Sequence, residues 1–424
     1  MRVMFTLVLA AVLAACTPLP EPDIDPLAER YVRLSLEIGT HEEGYIDAYY
    51  GPPEWKTEAE AHPRSTAELK AAVDALAAEL QTARRDLRED ELQRRGATLQ
   101  QYIASARFRL DMIDGARVPF AEEAEKLFGI RPTLRPLTAY DPILARIETL
   151  VPGRGALADR VEAARNRYII PNDRMQEVFD RAIAECRRRT LAHIPLPQNE
   201  SFTMEFVTDK SWSGYNYYQG QNRSIIQVNT DIPSSIDRAV DLGCHEGYPG
   251  HHVQGIYAEK LYRENGWVEY SVAPLFSPQG PLNEGAGNYG VDLAFPGDER
   301  LAFERDVLYP LAGLDPATAQ SRSELLRAVA DLAGARLTIA QMYLDGEINR
   351  DRAAELAQKY LLASRERAEQ WVRFAEQYRS YVINYSTGQD LIRAYVERAG
   401  EDQDARWRAF QSILTQPTLP SDLQ

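Results

Sequence analysis

The stretch His245-Glu246-Gly247-Tyr248-Pro249-Gly250-His251-His252 carries the strongest chemical signal in this sequence of 424 residues. It holds three of the six histidines of the chain, and a glutamate follows the first of them. Neutral imidazoles and carboxylates are ligands that Zn²⁺ prefers, with one position often left open for water. The stretch therefore predicts a metal site, carried by a helix that is expected to run from Ser234 to about Glu264.

The spacing of these histidines differs from the H-E-x-x-H arrangement, in which two histidines four residues apart share one helix face. Position i+4 from His245 is Pro249, and the next histidines stand at i+6 and i+7. On a regular helix i+6 lies about 9 Å along the axis, too far for two ligands of one ion. Because proline breaks a helix and glycine tolerates unusual dihedral angles, we predict that Tyr248-Pro249-Gly250 bulges outward. The alternative is a helix that ends at Pro249, with the histidine pair as a polar cap.

The segment H-E-G-Y-P-G-H-H-V-Q at 245–254 resembles the signature of the bacterial domain-of-unknown-function 885 family, whose members are regarded as candidate zinc peptidases. That family is similar in pattern to the helical gluzincins, which include carboxypeptidase Taq and angiotensin-converting enzyme. The resemblance implies that His245 and His251 are metal ligands and that Glu246 is the general base. It also implies a catalytic role for His252, as a donor to the oxyanion or a support of the site, although His252 could instead replace His251 as ligand.

The same resemblance implies a third ligand on a later helix. Asn283-Glu284-Gly285-Ala286-Gly287-Asn288 resembles the E-G-W-A segment of the family, with Ala286 in place of the tryptophan. Glu284 is therefore the predicted third metal ligand. Asn288 lies one helical turn after Glu284 and is expected to hold a histidine ring in orientation.

Looser matches predict groups that meet the substrate. Val228-Asn229-Thr230 resembles an edge strand of the family, whose backbone could pair with an extended peptide, and this makes Asn229 a predicted substrate-binding residue. Near the C-terminus, Tyr385 is the predicted donor to the developing oxyanion, with Tyr381 as second choice. A packed aromatic side chain is the alternative for Tyr385.

Tyr217 and Tyr218 are two further predicted substrate-binding residues. They belong to the segment 214–220, which is rich in Tyr and Gly and is predicted to be a loop in the wall of the cleft. The segments on either side of it, 201–207 and 224–230, have the composition and alternation of strands.

Helical periodicity dominates the remainder of the chain. Ser65-Thr66-Ala67-Glu68, for example, is a capping-box sequence, and apolar residues follow it at helical spacing. The sequence thus predicts a mainly α protein: a large helical zincin-like metallopeptidase fold with a small antiparallel β-sheet next to the active-site helix.

The N-terminus predicts export and lipid anchoring. Val3 to Ala15 is apolar but too short for a comfortable membrane span, and it ends in Leu13-Ala14-Ala15-Cys16, which resembles a bacterial lipobox. Cys16 would be lipidated and would begin the mature chain in the cell envelope, facing the periplasm. Thr17, which follows it, favours the outer membrane; an ordinary signal peptide with a chance cysteine is the alternative. The expected organisation is a signal peptide at 1–15, a tether at 16–26 and a single domain at 27–415. Within that domain, 27–198 is the N-terminal helical part and 199–415 the catalytic part.

Composition and cysteine count narrow the function classes. A formal net charge of −15 argues against binding to nucleic acid, which requires a concentrated basic face. Cys186 and Cys244 remain after lipidation; they could form one disulfide, but a buried free thiol is the favoured interpretation of Cys244.

The predicted activity is hydrolysis of a peptide or small amide with one Zn²⁺ per chain, where Glu246 acts on metal-activated water. Zinc is chosen over other divalent ions on chemical preference, and oligomeric state and exo- versus endopeptidase action are left open. Two alternatives are a catalytically inactive, metal-stabilised lipoprotein that binds peptides and a helical envelope scaffold without metal.

Overall fold

A computed structural model describes residues 21–210, 214–231 and 233–424. The predicted signal peptide, Cys16 and the first part of the tether lie outside the described residues. The predicted mainly α class is confirmed, since helices dominate and the strands are few and short. None of the helices in the described ranges combines the length and the apolar character needed to cross a membrane.

The N-terminal part consists of helices with one short strand. Its elements are α1 (Asp25–Gly39), β1 (Ile46–Tyr49), α2 (Pro53–Ala61), α3 (Thr66–Ala83), α4 (Asp90–Ile113), α5 (Phe120–Phe128), α6 (Asp141–Leu150), α7 (Leu157–Asn166) and α8 (Met175–Leu191).

The predicted capping box starts α3. Ser65 Oγ accepts a hydrogen bond from the backbone N–H of Glu68, and the Glu68 carboxylate accepts one from the backbone N–H of Ser65. The apolar face that follows is buried in the N-terminal core: Leu69, Val73, Leu76 and Leu80. Local capping and helical periodicity therefore suffice to explain this helix.

A three-stranded sheet follows, made of β2 (Ser201–Val207), β3 (Gly214–Gly220) and β4 (Arg223–Asn229) in the order β2-β4-β3. The prediction of a loop over 214–220 is wrong, because this Tyr-rich segment pairs along its length with β4. Gln221 and Asn222 form the tight turn between them, both with positive φ, which suits a two-residue hairpin.

The predicted antiparallel character holds for the β3–β4 pair only. β2 runs parallel to β4 on the other side, so the sheet is mixed. The direction of the chain is reversed between β2 and β3 and again between β3 and β4. β2 and β4 therefore run in the same direction.

The remaining elements build the C-terminal part, which is the part predicted to be catalytic. They are α9 (Ile236–Leu242), a π-helical turn (Gly243–Gly247), α10 (His251–Asn265), β5 (Val272–Pro274), α11 (Gln279–Ala294), α12 (Glu299–Phe303), a second π-helical turn (Glu304–Leu308), α13 (Tyr309–Ala312), α14 (Ala319–Ala330), α15 (Ala333–Leu344), α16 (Arg350–Tyr360), α17 (Arg365–Tyr378), α18 (Ile383–Glu397) and α19 (Gln403–Thr415).

Buried apolar side chains form three large clusters, and they place the site. The first cluster includes residues from helices α8 through α11 and from α18 and α19. The second includes residues from helices α1 through α5 and residues 381–383. The third includes residues from α6 and α7 and from helices α14 through α17. β5 pairs with β1 in a separate antiparallel ribbon and so ties the N-terminal part to the start of α11. A cleft of about 2480 Å³ lies among these parts and is lined from β1, β3, α10, α11, α15, α17 and α18.

Candidate metal centre

The predicted kink is present between α9 and α10. The chain forms a π-helical turn at 243–247, passes through a cis Tyr248–Pro249 bond and starts α10 at His251. The single helix expected from 234 to 264 is therefore wrong, since the chain leaves helical geometry at 248–250. Gly250 is required here: a Cβ on it would lie 1.8 Å from the carbonyl oxygen of His245.

The kink brings His245 and His251 to one point with Glu284. The two imidazole rings are perpendicular, with 4.6 Å between their centroids. Glu284 Oε2 lies 3.4 Å from His245 Nε2 and 3.9 Å from His251 Nε2. Ligands of a tetrahedral zinc ion are about 3.4 Å apart when each bond is about 2.1 Å long. The three predicted ligands thus stand at spacings close to those of a shared divalent cation.

The carboxylate of Glu284 supports the same conclusion. Its Oε1 accepts a hydrogen bond of 3.1 Å from the Tyr381 hydroxyl, while its Oε2 is buried without a hydrogen-bond partner. Burial alone would raise the pKa of Glu284, but the contacts with His245 and His251 outweigh burial and lower it. A buried carboxylate oxygen that faces two imidazole nitrogens without a well-aligned hydrogen bond is costly, and a divalent cation shared with those nitrogens would satisfy it. The donor set and the unpartnered oxygen fit a zinc ion.

Small residues on α11 make room for this arrangement. A Cβ on Gly287 would lie 2.9 Å from the ring of His245, and one on Gly285 would lie 2.4 Å from the backbone of Gly388 in α18. Ala286, which replaces the tryptophan of the resembled family, is buried in the first core cluster. The glycines therefore let a histidine ring on one side and a second helix on the other approach α11 closely.

Gln254 orients His251, a role that the sequence analysis missed. Gln254 Oε1 lies 2.9 Å from His251 Nδ1, and its Nε2 donates to the carbonyl of Asn283 at 2.9 Å. A donor proton on Nδ1 leaves the Nε2 lone pair free for a metal. The spacing i+3 on a helix could have suggested this pair. Asn288, which was expected to orient a histidine, instead donates to the backbone oxygen of Tyr385 at 3.1 Å.

Glu246 lines the cleft directly after the candidate ligand His245 and is 6% exposed. Its backbone oxygen accepts a hydrogen bond of 2.6 Å from Asn216 Nδ2 on β3, which fixes the turn against the sheet. The carboxylate is outside the group of converging ligand atoms. Glu246 therefore shares the cleft with the three candidate ligands without being one of them.

His252 does not line the cleft, so the oxyanion-donor and replacement-ligand alternatives are wrong, while a supporting role stays a prediction. Its ring is fully buried, with Nδ1 2.8 Å from Ser224 Oγ and Nε2 3.1 Å from Glu200 Oε2. Both ring nitrogens are thus engaged by buried partners and neither can reach an oxyanion or a metal at the cleft. Consecutive residues of a helix point about 100° apart, which is why only one of the two histidines faces the site.

Glu200 links His252 to the other side of the kink. Its carboxylate also accepts hydrogen bonds from the Tyr248 hydroxyl at 2.5 Å and from Arg187 at 2.6 Å. Burial alone would raise the pKa of this carboxyl, but the hydrogen bonds from His252, Tyr248 and Arg187 lower it to about 2. One carboxylate therefore holds residues before and after Pro249.

Tyr385 and Tyr381 both line the cleft. The Tyr381 hydroxyl is used by Glu284, as described above. Burial, and after it the negative charge of Glu284, raises the pKa of Tyr385 well above the ordinary value. The phenol of Tyr385 stays protonated, so it can donate a hydrogen bond near the candidate metal ligands.

The three predicted substrate-binding residues are placed differently. Tyr217 and Tyr218 lie on β3 and line the cleft; Tyr217 is exposed, while the Tyr218 hydroxyl donates to Glu259 at 2.6 Å. Asn229 is 1% exposed and donates to the backbone oxygen of Lys210. The predicted edge strand around Asn229 is wrong, because β4 is the central strand. The edge strand in the cleft is β3.

Cys186 and Cys244 form a disulfide, with 5.4 Å between their Cα atoms. The interpretation of Cys244 as a free thiol is therefore wrong. The bond joins α8 to the residue that precedes His245, and both cysteines are fully buried in the first core cluster. It anchors the π-helical turn covalently.

Of the comparisons with known proteins, one solved structure with a TM-score above 0.5 supports a shared fold. No protein-family model matches the chain, and the curated proteins contain no match to it. Among solved structures it is similar to a candidate lipoprotein from Colwellia psychrerythraea, with a TM-score of 0.52 and 14% identity over 95% of this chain and 75% of the other. A candidate lipoprotein of unknown function from Shewanella oneidensis gives 0.47 and 14% over 94% and 81%. An M32 carboxypeptidase from Deinococcus radiodurans R1 gives 0.38 and 14% over 92% and 89%.

Proposed function

We propose that this chain is a zinc-dependent peptidase of the cell envelope, related to the domain-of-unknown-function 885 family. The observation that carries the proposal is the convergence of His245, His251 and Glu284, with a buried carboxylate oxygen that has no hydrogen-bond partner. Envelope anchoring through Cys16 is supported by the lipobox sequence and by the fold shared with a candidate lipoprotein from Colwellia psychrerythraea.

The residues around the ligands divide the work of amide hydrolysis. A zinc ion, when bound, supplies a Lewis acid and makes water acidic enough to deprotonate near neutral pH. In this proposal Glu246, which lines the same cleft as the candidate ligands, takes the proton from the attacking water and passes it to the leaving amine. In the same proposal the protonated phenol of Tyr385, which also lines the cleft, donates a hydrogen bond to the developing oxyanion.

The cleft favours a peptide over a small amide. Its volume of about 2480 Å³ exceeds the range of about 300–1,000 Å³ that is usual for sites of small ligands. β3 is an edge strand of the sheet and lines this cleft, so an extended peptide can add to it as a further strand. The strand that would pair with the peptide is therefore β3, and not β4 as expected from the sequence.

Metal analysis and peptide hydrolysis test the proposal together. We expect the purified full chain in detergent to hold one zinc by elemental mass spectrometry and to cleave members of a peptide library in a chelator-sensitive manner. His245→Ala should lose the zinc, whereas Glu246→Gln should keep it and lose roughly 100-fold or more of the turnover. Stoichiometric zinc in His245→Ala would contradict the ligand assignment. Zinc with peptide affinity but no hydrolysis in the wild-type chain would establish the inactive binding lipoprotein instead.

A further inference from the structure

Asp47 is a bulged residue at the edge of the cleft. The residues on either side of it pair with consecutive residues of β5, namely Ile46 with Pro274 and Ala48 with Ala273. Asp47 therefore has no partner of its own in the ladder. Bulges of this kind re-aim a side chain and are frequent next to active sites. Here the re-aimed carboxylate lines the cleft.

A tyrosine from another part of the chain holds this carboxylate. The hydroxyl of Tyr215, on the edge strand β3, donates a hydrogen bond to Asp47 Oδ1. The contact joins the N-terminal ribbon to the sheet across 168 residues of sequence. Asp47 is thus fixed from two sides, by its own backbone bulge and by a phenol from the wall that an extended peptide would follow.

Asp47 has no lysine or arginine ion-pair partner among the residues that the structure describes. It lies within electrostatic range of His251, Glu246 and Glu284. Burial in the cleft raises the pKa of this carboxyl; the hydrogen bond from Tyr215 and the charge of His251 oppose the rise, and the charges of Glu284 and Glu246 add to it. A bound cation would relieve the same repulsion.

We propose that Asp47 recognises a primary ammonium group of the substrate peptide, close to the bond that is cleaved. The inference rests on the proposed peptidase function and narrows its substrate class. An α-amino terminus and a lysine side chain present the same group, and both would donate hydrogen bonds to a carboxylate already oriented by Tyr215. Of the three carboxylates that interact around the candidate ligands, Glu284 would be compensated by a bound zinc ion and Glu246 would act on water, so Asp47 would be the one free to accept from an ammonium group.

Binding to a chain without turnover tests this directly. The zinc-loaded full chain carrying Glu246→Gln is titrated by calorimetry with four matched peptides: free or acetylated at the N-terminus, each with lysine or norleucine near the centre. We expect one kind of ammonium to improve affinity about 10- to 100-fold, the usual gain for a charged hydrogen bond. Asp47→Asn should remove that gain and leave the peptide without ammonium unchanged. The peptide pair that responds identifies the α-amino group or lysine as the source.

Two further variants separate recognition from loss of structure. Glu43→Gln removes the same charge from the lining of the same cleft, and we expect it to keep the preference. Tyr215→Phe keeps the carboxylate but removes its donor, and we expect a smaller loss of the preference. Equal affinities for all four peptides, no binding of any, or an equal loss for all in Asp47→Asn would overturn the inference. If the wild-type chain bound the ammonium peptides preferentially but hydrolysed none of them, the role of Asp47 in recognition would stand. Only the proposed peptidase activity would then be contradicted.

Discussion

The ring of His251 faces the ring of His245 at 4.6 Å, although six residues separate them along the chain. A continuous helix would place these residues about 9 Å apart along its axis. The approach depends on Gly250, where the chain turns so closely that its N–H donates to the carbonyl of Cys244 at 3.0 Å. Backbone geometry at Gly250 therefore brings the two candidate ligands together.

Gly250→Ala tests this dependence. An added Cβ would lie 1.8 Å from the His245 carbonyl oxygen, so the kink must open and separate the two histidines. We expect a loss of about 3 kcal/mol in the free energy of unfolding, the upper range for overpacking, together with loss of stoichiometric zinc. Urea denaturation and elemental analysis provide the measurements.

Gly247→Ala is the matched control for that experiment. Its Cβ would meet only the ring of Phe202, at 3.3 Å, and a side chain can shift where a backbone carbonyl cannot. Zinc should therefore stay bound in Gly247→Ala. Full zinc occupancy in Gly250→Ala would show that the close turn is not needed for the site.

The free energy of unfolding should fall at acidic pH, because the carboxylate of Glu200 becomes protonated. Its pKa is lowered from 4.5 to about 2 in the folded chain by His252, Tyr248 and Arg187. A depressed folded-state pKa contributes stability that is complete above the unfolded value and is lost as pH falls from about 4.5 towards 2. We expect the urea midpoint to fall in this window, and to fall less in Glu200→Gln, whose stability is already lower at pH 7.

Glu205→Gln serves as the comparison, since Glu205 is exposed on the neighbouring strand β2. Its stability profile below pH 4.5 should match that of the wild-type chain. If Glu200→Gln also kept the wild-type profile, the buried carboxylate would not be ionised as its hydrogen bonds require.

The disulfide should stabilise both the fold and the metal site. It closes a segment with a sequence separation of 58, for which the chain-entropy relation gives about 4 kcal/mol. We expect Cys186→Ala with Cys244→Ala to lose a large part of this free energy in denaturant titration and to bind zinc more weakly. The reduced wild-type chain should behave like the double variant. Unchanged stability in both would mean that α8 and the turn are held by packing alone.

Part of this site could be predicted from residue types alone. The histidines, Glu246 and the proline-glycine kink are local in sequence, and the chemistry of zinc ligands is specific enough to recognise them. Glu284 lies on a separate helix, and its prediction as a ligand depended on a family resemblance. The capping box at Ser65 is likewise local, and the structure contains it.

Long-range pairing explains the errors. Nothing near His252 shows that its partner is Glu200, which lies 52 residues earlier in the chain. The Cys186–Cys244 bond has the same character. Residues 214–220 combine tyrosines, which favour strands, with glycines, which favour loops, and only the pairing with β4 decides between them.

Tyr381 and Tyr385 should differ in what they support. The hydroxyl of Tyr381 donates to Glu284, so Tyr381→Phe removes an outer partner of a predicted ligand and should weaken zinc binding by about 10- to 100-fold. Tyr385 shares the cleft but is predicted to donate to the oxyanion, so Tyr385→Phe should keep zinc affinity and lower kcat by about 100-fold with KM little changed. Zinc competition with a chromogenic chelator and steady-state kinetics separate the two effects. Each variant is the control for the other, and equal losses of zinc in both would assign Tyr385 a supporting role at the metal ligands.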